Sequence, residues 1–115
     1  PSIHAQFHKQ RAPKTQELAT FTTQLANLLN SGMPLTVALN SMTHLASKGI
    51  PADVTRSLKQ EVTEGRALSD ALARQPVIFS ALFVNMVLAG ETTGNAHFFY
   101  FFRALDFYGH VKDGS

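Results

Sequence analysis

Two glycine–x–proline joints are the sequence feature that most constrains the fold of this chain. The stretch "NSGMP" contains Gly32 and Pro34, and "SKGIP" contains Gly49 and Pro51. Glycine adopts the left-handed conformation that closes many helices, and proline suits the first turn of the helix that follows. Each joint is therefore predicted to cap one helix at its glycine and to begin the next at its proline.

Apolar residues recur at three- and four-residue steps around these joints, which is the spacing of helices, and no run alternates β-branched with polar residues. Helices are predicted from Thr15, from Pro34, from Pro51 to Gly65, through "ALSDALARQP", and after a cap at Ser80. The fifth helix is predicted to turn four residues toward the core: Leu82, Phe83, Met86 and Val87.

A sixth helix, capped by Asn95, is predicted through "NAHFFYFFRALDFYGHVKD". Short connections favour antiparallel packing of neighbouring helices. The predicted fold class is all-α, a compact six-helix bundle with antiparallel neighbouring helices. The length of 115 residues fits a single domain, which we assign to residues 15–113.

Residues 1–14 form a basic arm that is predicted to be flexible. They carry Lys9, Arg11 and Lys14 without an acid, whereas the rest of the chain has seven bases and eight acids. Such an arm fits nucleic acid or anionic lipid headgroups, and it also fits a solvated terminal lead-in without a partner. The sequence leaves these three interpretations open.

Composition narrows the function classes. Cysteine is absent, which excludes a disulfide framework, a thiolate zinc site and a cysteine nucleophile. No apolar run approaches the ~20 residues that span a bilayer, so neither a membrane helix nor a signal peptide is predicted in these residues. The chain is 44% hydrophobic but only 16% charged, which indicates apolar surface for a partner.

The stretch "VLAGETTGN", residues 87–95, is the candidate functional site. A phosphate cradle would need a lysine and a preceding strand, and this stretch has neither. In a purely structural interpretation, Gly90 allows a neighbouring helix to approach closely and Gly94 is the C-cap of the fifth helix. Glu91 is then an ordinary solvated acid. No Gly-x-Ser-x-Gly elbow occurs, and the i, i+4 pair His4 and His8 lacks the acidic partner of a metalloprotease helix. The chain is predicted not to be an enzyme.

The predicted sixth helix has aromatic residues on nearly every side, which is more than one core-facing stripe can use. Phe98 and Phe102 are representative of this set. One interpretation makes the helix the buried centre of a small bundle. The other gives one of its faces to a second subunit or to the bilayer interface, where aromatic rings bury large areas.

Four segments, taken in order, resemble one family. They are "FTTQLANLLNSGMPLTVAL" (residues 21–39), "EGRALSDAL" (64–72), "FSALFVNMVLAGETTG" (79–94) and the aromatic segment that follows. Together they resemble the secretion F family, the inner-membrane platform proteins of type II secretion and type IV pilus assembly. The resemblance covers roughly residues 15–110.

The resemblance implies a cytoplasmic six-helix domain that occurs twice in the polypeptide, and this chain is similar to the first copy. It implies a non-enzymatic scaffold at the bacterial inner membrane that couples an assembly or secretion ATPase to insertion of a pilin or pseudopilin. Other inner-membrane assembly proteins and a homodimer or higher oligomer are further implied partners. The interface or structural joint implied in this chain comprises five residues: Gly90, Glu91, Gly94, Phe98 and Phe102.

No cofactor is predicted, although a divalent cation at a dimer interface, with Glu91 as a ligand, is compatible with the resemblance. The chain departs from the family pattern at Thr23, where arginine is frequent, and at Ala96 and His97, where a leucine–acid pair is frequent. A histidine in place of an acid weakens the metal interpretation, because a hard cation prefers six to eight oxygen ligands. The alternative function is a soluble helical adaptor that binds nucleic acid through the basic arm.

Overall fold

The computed structural model describes residues 11–44 and 50–93, which form five α-helices and no strand. The helices are α1 (Thr15–Asn30), α2 (Leu35–Thr43), α3 (Ala52–Thr63), α4 (Leu68–Ala73) and α5 (Ala81–Thr93). The all-α prediction is confirmed for this part of the chain. The predicted sixth helix falls outside the described residues, so the six-helix count stays a prediction. The antiparallel arrangement and the limits of the arm and the domain also stay predictions.

Helix starts follow the local sequence. Pro34 and Pro51 occupy the N-cap positions of α2 and α3, one residue before the first helical residue, with φ of −61° and −60°. Their carbonyl groups accept the first helical hydrogen bonds, as in the 2.8 Å bond from the Ala38 amide to Pro34. Ser80 caps α5, because its hydroxyl oxygen accepts from the Phe83 amide at 3.2 Å.

Glycines end α1 and α3 in the same way. Gly32 has φ of +95° and Gly65 has φ of +102°, the left-handed region that glycine adopts most readily. After α1, the Met33 amide donates to the Leu28 carbonyl at 3.2 Å, and the Gly32 amide donates to the Leu29 carbonyl at 3.0 Å. This pair of bonds is a Schellman motif, and it satisfies carbonyls that the end of a helix leaves unpaired.

The core lies where consecutive helices pack against one another, α1 on α2, α2 on α3, α3 on α4 and α4 on α5. An aromatic cluster links α1 to α5: the rings of Phe21 and Phe79 are 5.8 Å apart, and those of Phe79 and Phe83 are 5.4 Å apart. All three side chains are at most 2% exposed. The cluster therefore connects α1 to α5 through the interior.

One predicted core residue lies outside the core. Leu82 is 52% exposed, whereas Phe83 and Val87 are buried and Met86 is half-buried. The buried stripe of α5 continues from Val87 to Gly90, and each residue turns a helix by about 100°. Leu82 therefore points away from this stripe, and the prediction that it faces the core was wrong.

Candidate functional site: a glutamate joint between two helices

Glu91 lies in the last turn of α5 and its carboxylate reaches the first turn of α4. Its Oε2 accepts a hydrogen bond from the Ser69 amide at 2.9 Å, and its Oε1 accepts one from the Ser69 hydroxyl at 2.6 Å. The two residues are separated by 22 positions in the chain. We call this pair, Glu91 with the amide and hydroxyl of Ser69, the glutamate joint.

The local sequence of α4 explains why it needs an acceptor from elsewhere. The first amides of a helix have no carbonyl partner within the helix, and a Ser, Thr, Asp or Asn at the N-cap usually provides one. The N-cap of α4 is Ala67, which has no side-chain acceptor. Glu91 supplies that acceptor from α5, and its negative charge also interacts favourably with the positive end of the helix dipole.

The joint is partly withdrawn from water. Ser69 is only 7% exposed, Glu91 is half-buried, and the neighbouring Gly90 is buried. Hydrogen bonds that involve an ionised group are stronger than neutral ones, and burial of the donors makes their loss costly. The interpretation of Glu91 as an ordinary solvated acid was therefore wrong, because its carboxylate is a structural tie between two helices.

An ion pair links the other end of α4 to α3. Arg74, the C-cap residue of α4, places its Nε 3.5 Å from Oε1 of Glu61 on α3. Arg66, in the α3–α4 connection, lies 3.2 Å from the same oxygen and 3.1 Å from Glu64. A cation at the C-terminus of a helix is favourable, although exposed pairs each contribute less than about 1 kcal/mol. Thus α5 holds the first turn of α4, and α3 holds its last turn.

Four residues predicted to belong to sites lie outside the described residues: Gly49, Gly94, Phe98 and Phe102. Within residues 11–44 and 50–93, no three His, Asp or Glu side chains stand close enough together to hold a metal ion. Both carboxylate oxygens of Glu91 already accept hydrogen bonds from Ser69. A cation would have to compete with those donors, and the metal role of Glu91 stays a prediction.

Sequence reasoning did not single out Ser69. Its segment contributed to the family resemblance, but no local pattern connects it to an acid 22 positions later. One signal was available, since Ala67 is a poor N-cap in front of a helix that clearly begins there. A helix without a local cap needs an acceptor from another part of the fold. An isolated acid flanked by Gly90 and Gly94 was a candidate for that acceptor.

In the part of the chain with a described structure, no helix is both long and apolar enough to cross a membrane. The fold and the joint define a small helical module in which a polar tie across 22 positions connects α4 to α5. Its sequence matches the model of the family described as type II secretion system (T2SS), protein F, over residues 21–98. The chain belongs to this family.

Individual relatives agree with the family match. The chain is 39% identical to a type II secretion system protein F of Vibrio cholerae, with 77% of this chain and 22% of the relative covered. It is 40% identical to a type 4 fimbrial assembly protein PilC of Pseudomonas putida (73% and 22% covered). It is 36% identical to a type IV pilus assembly protein PilC of Thermus thermophilus (74% and 21% covered). The chain thus spans about a fifth of the length of these relatives.

Proposed function

We propose that this chain is a non-enzymatic scaffold domain on the cytoplasmic side of an inner-membrane platform protein. The observation that carries the proposal is the family match over residues 21–98, a range that contains both Ser69 and Glu91. Relatives of similar identity are named for type II secretion and for type IV pilus assembly. The proposal accordingly extends to both machines without choosing between them.

The proposed mechanism is the transmission of movement from an assembly or secretion ATPase to the pilin or pseudopilin that enters the filament. A domain that transmits movement by contact has to move as a unit, because a helix that slips against its neighbour dissipates the displacement. The glutamate joint supports this role by tying the first turn of α4 to the last turn of α5. The Arg74–Glu61 ion pair ties the other end of α4 to α3.

The interface of the domain is proposed to include the segment that follows the joint. Phe98 and Phe102 belong to an aromatic stretch with more apolar surface than a single stripe needs, and Gly94 is the proposed turn into it. This stretch would contact a second copy of the domain or another inner-membrane assembly protein. Aromatic side chains are enriched in the cores of such interfaces.

Two experiments test the proposal. In the first, the 115-residue chain is immobilised and exposed to the purified ATPase of the same machine, with an unrelated ATPase as the control. We expect retention of the cognate enzyme only. In the second, the coding region for residues 15–113 is deleted in frame from the parent gene, and filaments or secreted substrate are measured. We expect assembly to be lost while the truncated protein remains in the membrane fraction.

Three results would count against the proposal. Filament assembly that persists without residues 15–113 would mean that the domain is dispensable for the machine. Equal retention of cognate and unrelated ATPases, or of neither, would remove the coupling step and leave a scaffold with other partners. Turnover of a small-molecule substrate by the purified chain would contradict the non-enzymatic assignment.

A further inference from the structure

Positive charge is concentrated at one end of the chain. Residues 1–14 contain three bases and no acid, whereas the remaining residues contain seven bases and eight acids. Two of the three bases, Arg11 and Lys14, lie in the part of the chain that the structure describes, and both are exposed. The basic end is therefore available to an anionic partner.

A groove of about 330 Å³ runs beside these bases. Ala12, Pro13 and Leu18 line one side, and Pro76, Val77 and Ser80 of the α4–α5 connection line the other. Val77 is 46% exposed. An exposed aliphatic side chain thus lines the groove beside the segment that carries the exposed cations. We call this region, Arg11 and Lys14 with the groove, the arm surface.

The mixture of cations and aliphatic side chains discriminates between anionic partners. Lysine and arginine bind the phosphates both of lipids and of nucleic acids. A lipid interface also accepts aliphatic side chains just below the phosphate level. Recognition of nucleic-acid bases instead uses aromatic stacking or hydrogen bonds to base edges, and the lining of this groove is mainly proline and aliphatic, with the hydroxyl residues Thr15 and Ser80.

We infer that the arm surface binds an anionic lipid headgroup layer. The inference rests on the proposed function in one respect, because the parent protein would hold this domain beside the inner membrane. Arg11 and Lys14 would meet lipid phosphates, and Val77 would enter the layer beneath them. Arm and groove would thereby fix the orientation of the domain relative to the bilayer.

Glu17 reduces the positive charge that the arm surface offers to an anionic partner. Its Oε1 and Oε2 lie 3.2 Å and 3.4 Å from the guanidinium nitrogens of Arg11, and its Oε1 also accepts from the Lys14 amide at 2.8 Å. The hydrogen bond from Arg11, followed by that from the Lys14 amide, lowers the pKa of Glu17 below its ordinary value. The carboxylate is therefore ionised at neutral pH and offsets the charge of Arg11.

The inference is tested by co-sedimentation of the 115-residue chain with sucrose-loaded vesicles. Vesicles of phosphatidylglycerol with phosphatidylethanolamine are compared with neutral phosphatidylcholine vesicles at low and high salt. Each basic residue near an anionic surface contributes about a fivefold increase in partitioning. The double variant Arg11→Gln/Lys14→Gln should therefore bind anionic vesicles about 25-fold more weakly. Arg56→Gln/Lys59→Gln on α3 is the matched control, because it changes the net charge equally.

Two single variants sharpen the test. Glu17→Gln should bind anionic vesicles about fivefold more tightly, since it frees Arg11 while glutamine still accepts from the Lys14 amide. Asp53→Asn on α3 is its matched control and should change binding much less. Val77→Ser should weaken binding about threefold, with an unchanged salt dependence, because it removes only apolar contact. Unfolding curves of all variants verify that they fold.

Several outcomes would overturn the inference. Equal losses in the two double variants would mean that net charge alone governs binding. Equal binding to anionic and neutral vesicles would remove the role of the cations. Salt-dependent binding to duplex DNA that needs Arg11 and Lys14, without vesicle binding, would assign the arm to nucleic acid. None of these results bears on ATPase retention or filament assembly, so the proposed function would stand or fall separately.

Discussion

Removal of the Glu91 carboxylate should lower the free energy of unfolding by an amount that the geometry of the joint sets. Glu91→Ala leaves the amide and the hydroxyl of Ser69 without their acceptors at 2.9 Å and 2.6 Å. A hydrogen bond to a charged group contributes about 1.5–3 kcal/mol, and a buried donor left unpaired costs about 1–3 kcal/mol. Because Glu91 is only half-buried, water can replace part of the loss, and we expect about 2 kcal/mol.

Partial variants should show partial effects. Ser69→Ala removes the hydroxyl bond but keeps the amide bond, and Glu91→Gln keeps a neutral acceptor. Each should cost about 1 kcal/mol. The double variant Glu91→Ala/Ser69→Ala should be less destabilised than the sum of the two single variants by about 1 kcal/mol, since both changes remove the same bond. Asp70→Asn is the matched control, an exposed acid in the same helical turn, and should cost less than about 0.5 kcal/mol.

The assay is urea unfolding of the 115-residue chain, followed by circular dichroism at neutral pH and analysed by linear extrapolation. Thermal unfolding gives an independent reading, because 1 kcal/mol corresponds to roughly 4–8 °C for a domain of about this size. A Glu91→Ala variant within about 0.5 kcal/mol of the parent chain would refute the reasoning. Strict additivity of Glu91→Ala and Ser69→Ala would also refute it, since it would mean that the two side chains do not interact.

Three further predictions follow from other parts of the fold. Gly65→Ala should cost about 1 kcal/mol in urea unfolding, because φ is +102° even though the space around a new Cβ is open. Glu17 should titrate below its ordinary pKa of 4.5, and Arg11→Ala should raise that pKa, as measured by NMR. The stabilisation from Glu17 is accordingly present above pH 4.5 and is lost as pH falls through the lowered pKa. Phe79→Ala should cost about 3–5 kcal/mol, whereas Phe79→Leu, which fills most of the space, should cost far less.

The helix boundaries could be predicted from the sequence because their causes are local. A glycine at positive φ ends a helix, and a proline favours a helix start, through effects confined to a few neighbouring residues. The helix end at Gly65 and the helix starts at Pro34 and Pro51 could therefore be predicted from the local sequence. Leu82 was misplaced because four apolar residues in α5 allow two choices of face about 100° apart.

Only one of the two residues of the glutamate joint could be predicted from the sequence. The sequence marked Glu91 as an acid without an evident reason between Gly90 and Gly94, but it offered nothing that paired this acid with Ser69. Pairing across 22 positions depends on how α4 and α5 pack, and side-chain periodicity does not encode that packing. The family resemblance grouped the two segments together, and the hydrogen bonds now give a physical reason for their association.

The most direct measurement compares two variants of similar expected stability in the parent protein, Glu91→Gln and Gly65→Ala, by filament assembly or substrate secretion in cells. Protein levels in the membrane fraction are matched first, and each variant is expected to cost about 1 kcal/mol. If the joint transmits movement between α4 and α5, Glu91→Gln lowers assembly severalfold while Gly65→Ala leaves it near the parent level. Equal assembly by the two variants would contradict this role, and Glu91 would then be a stabilising contact like any other.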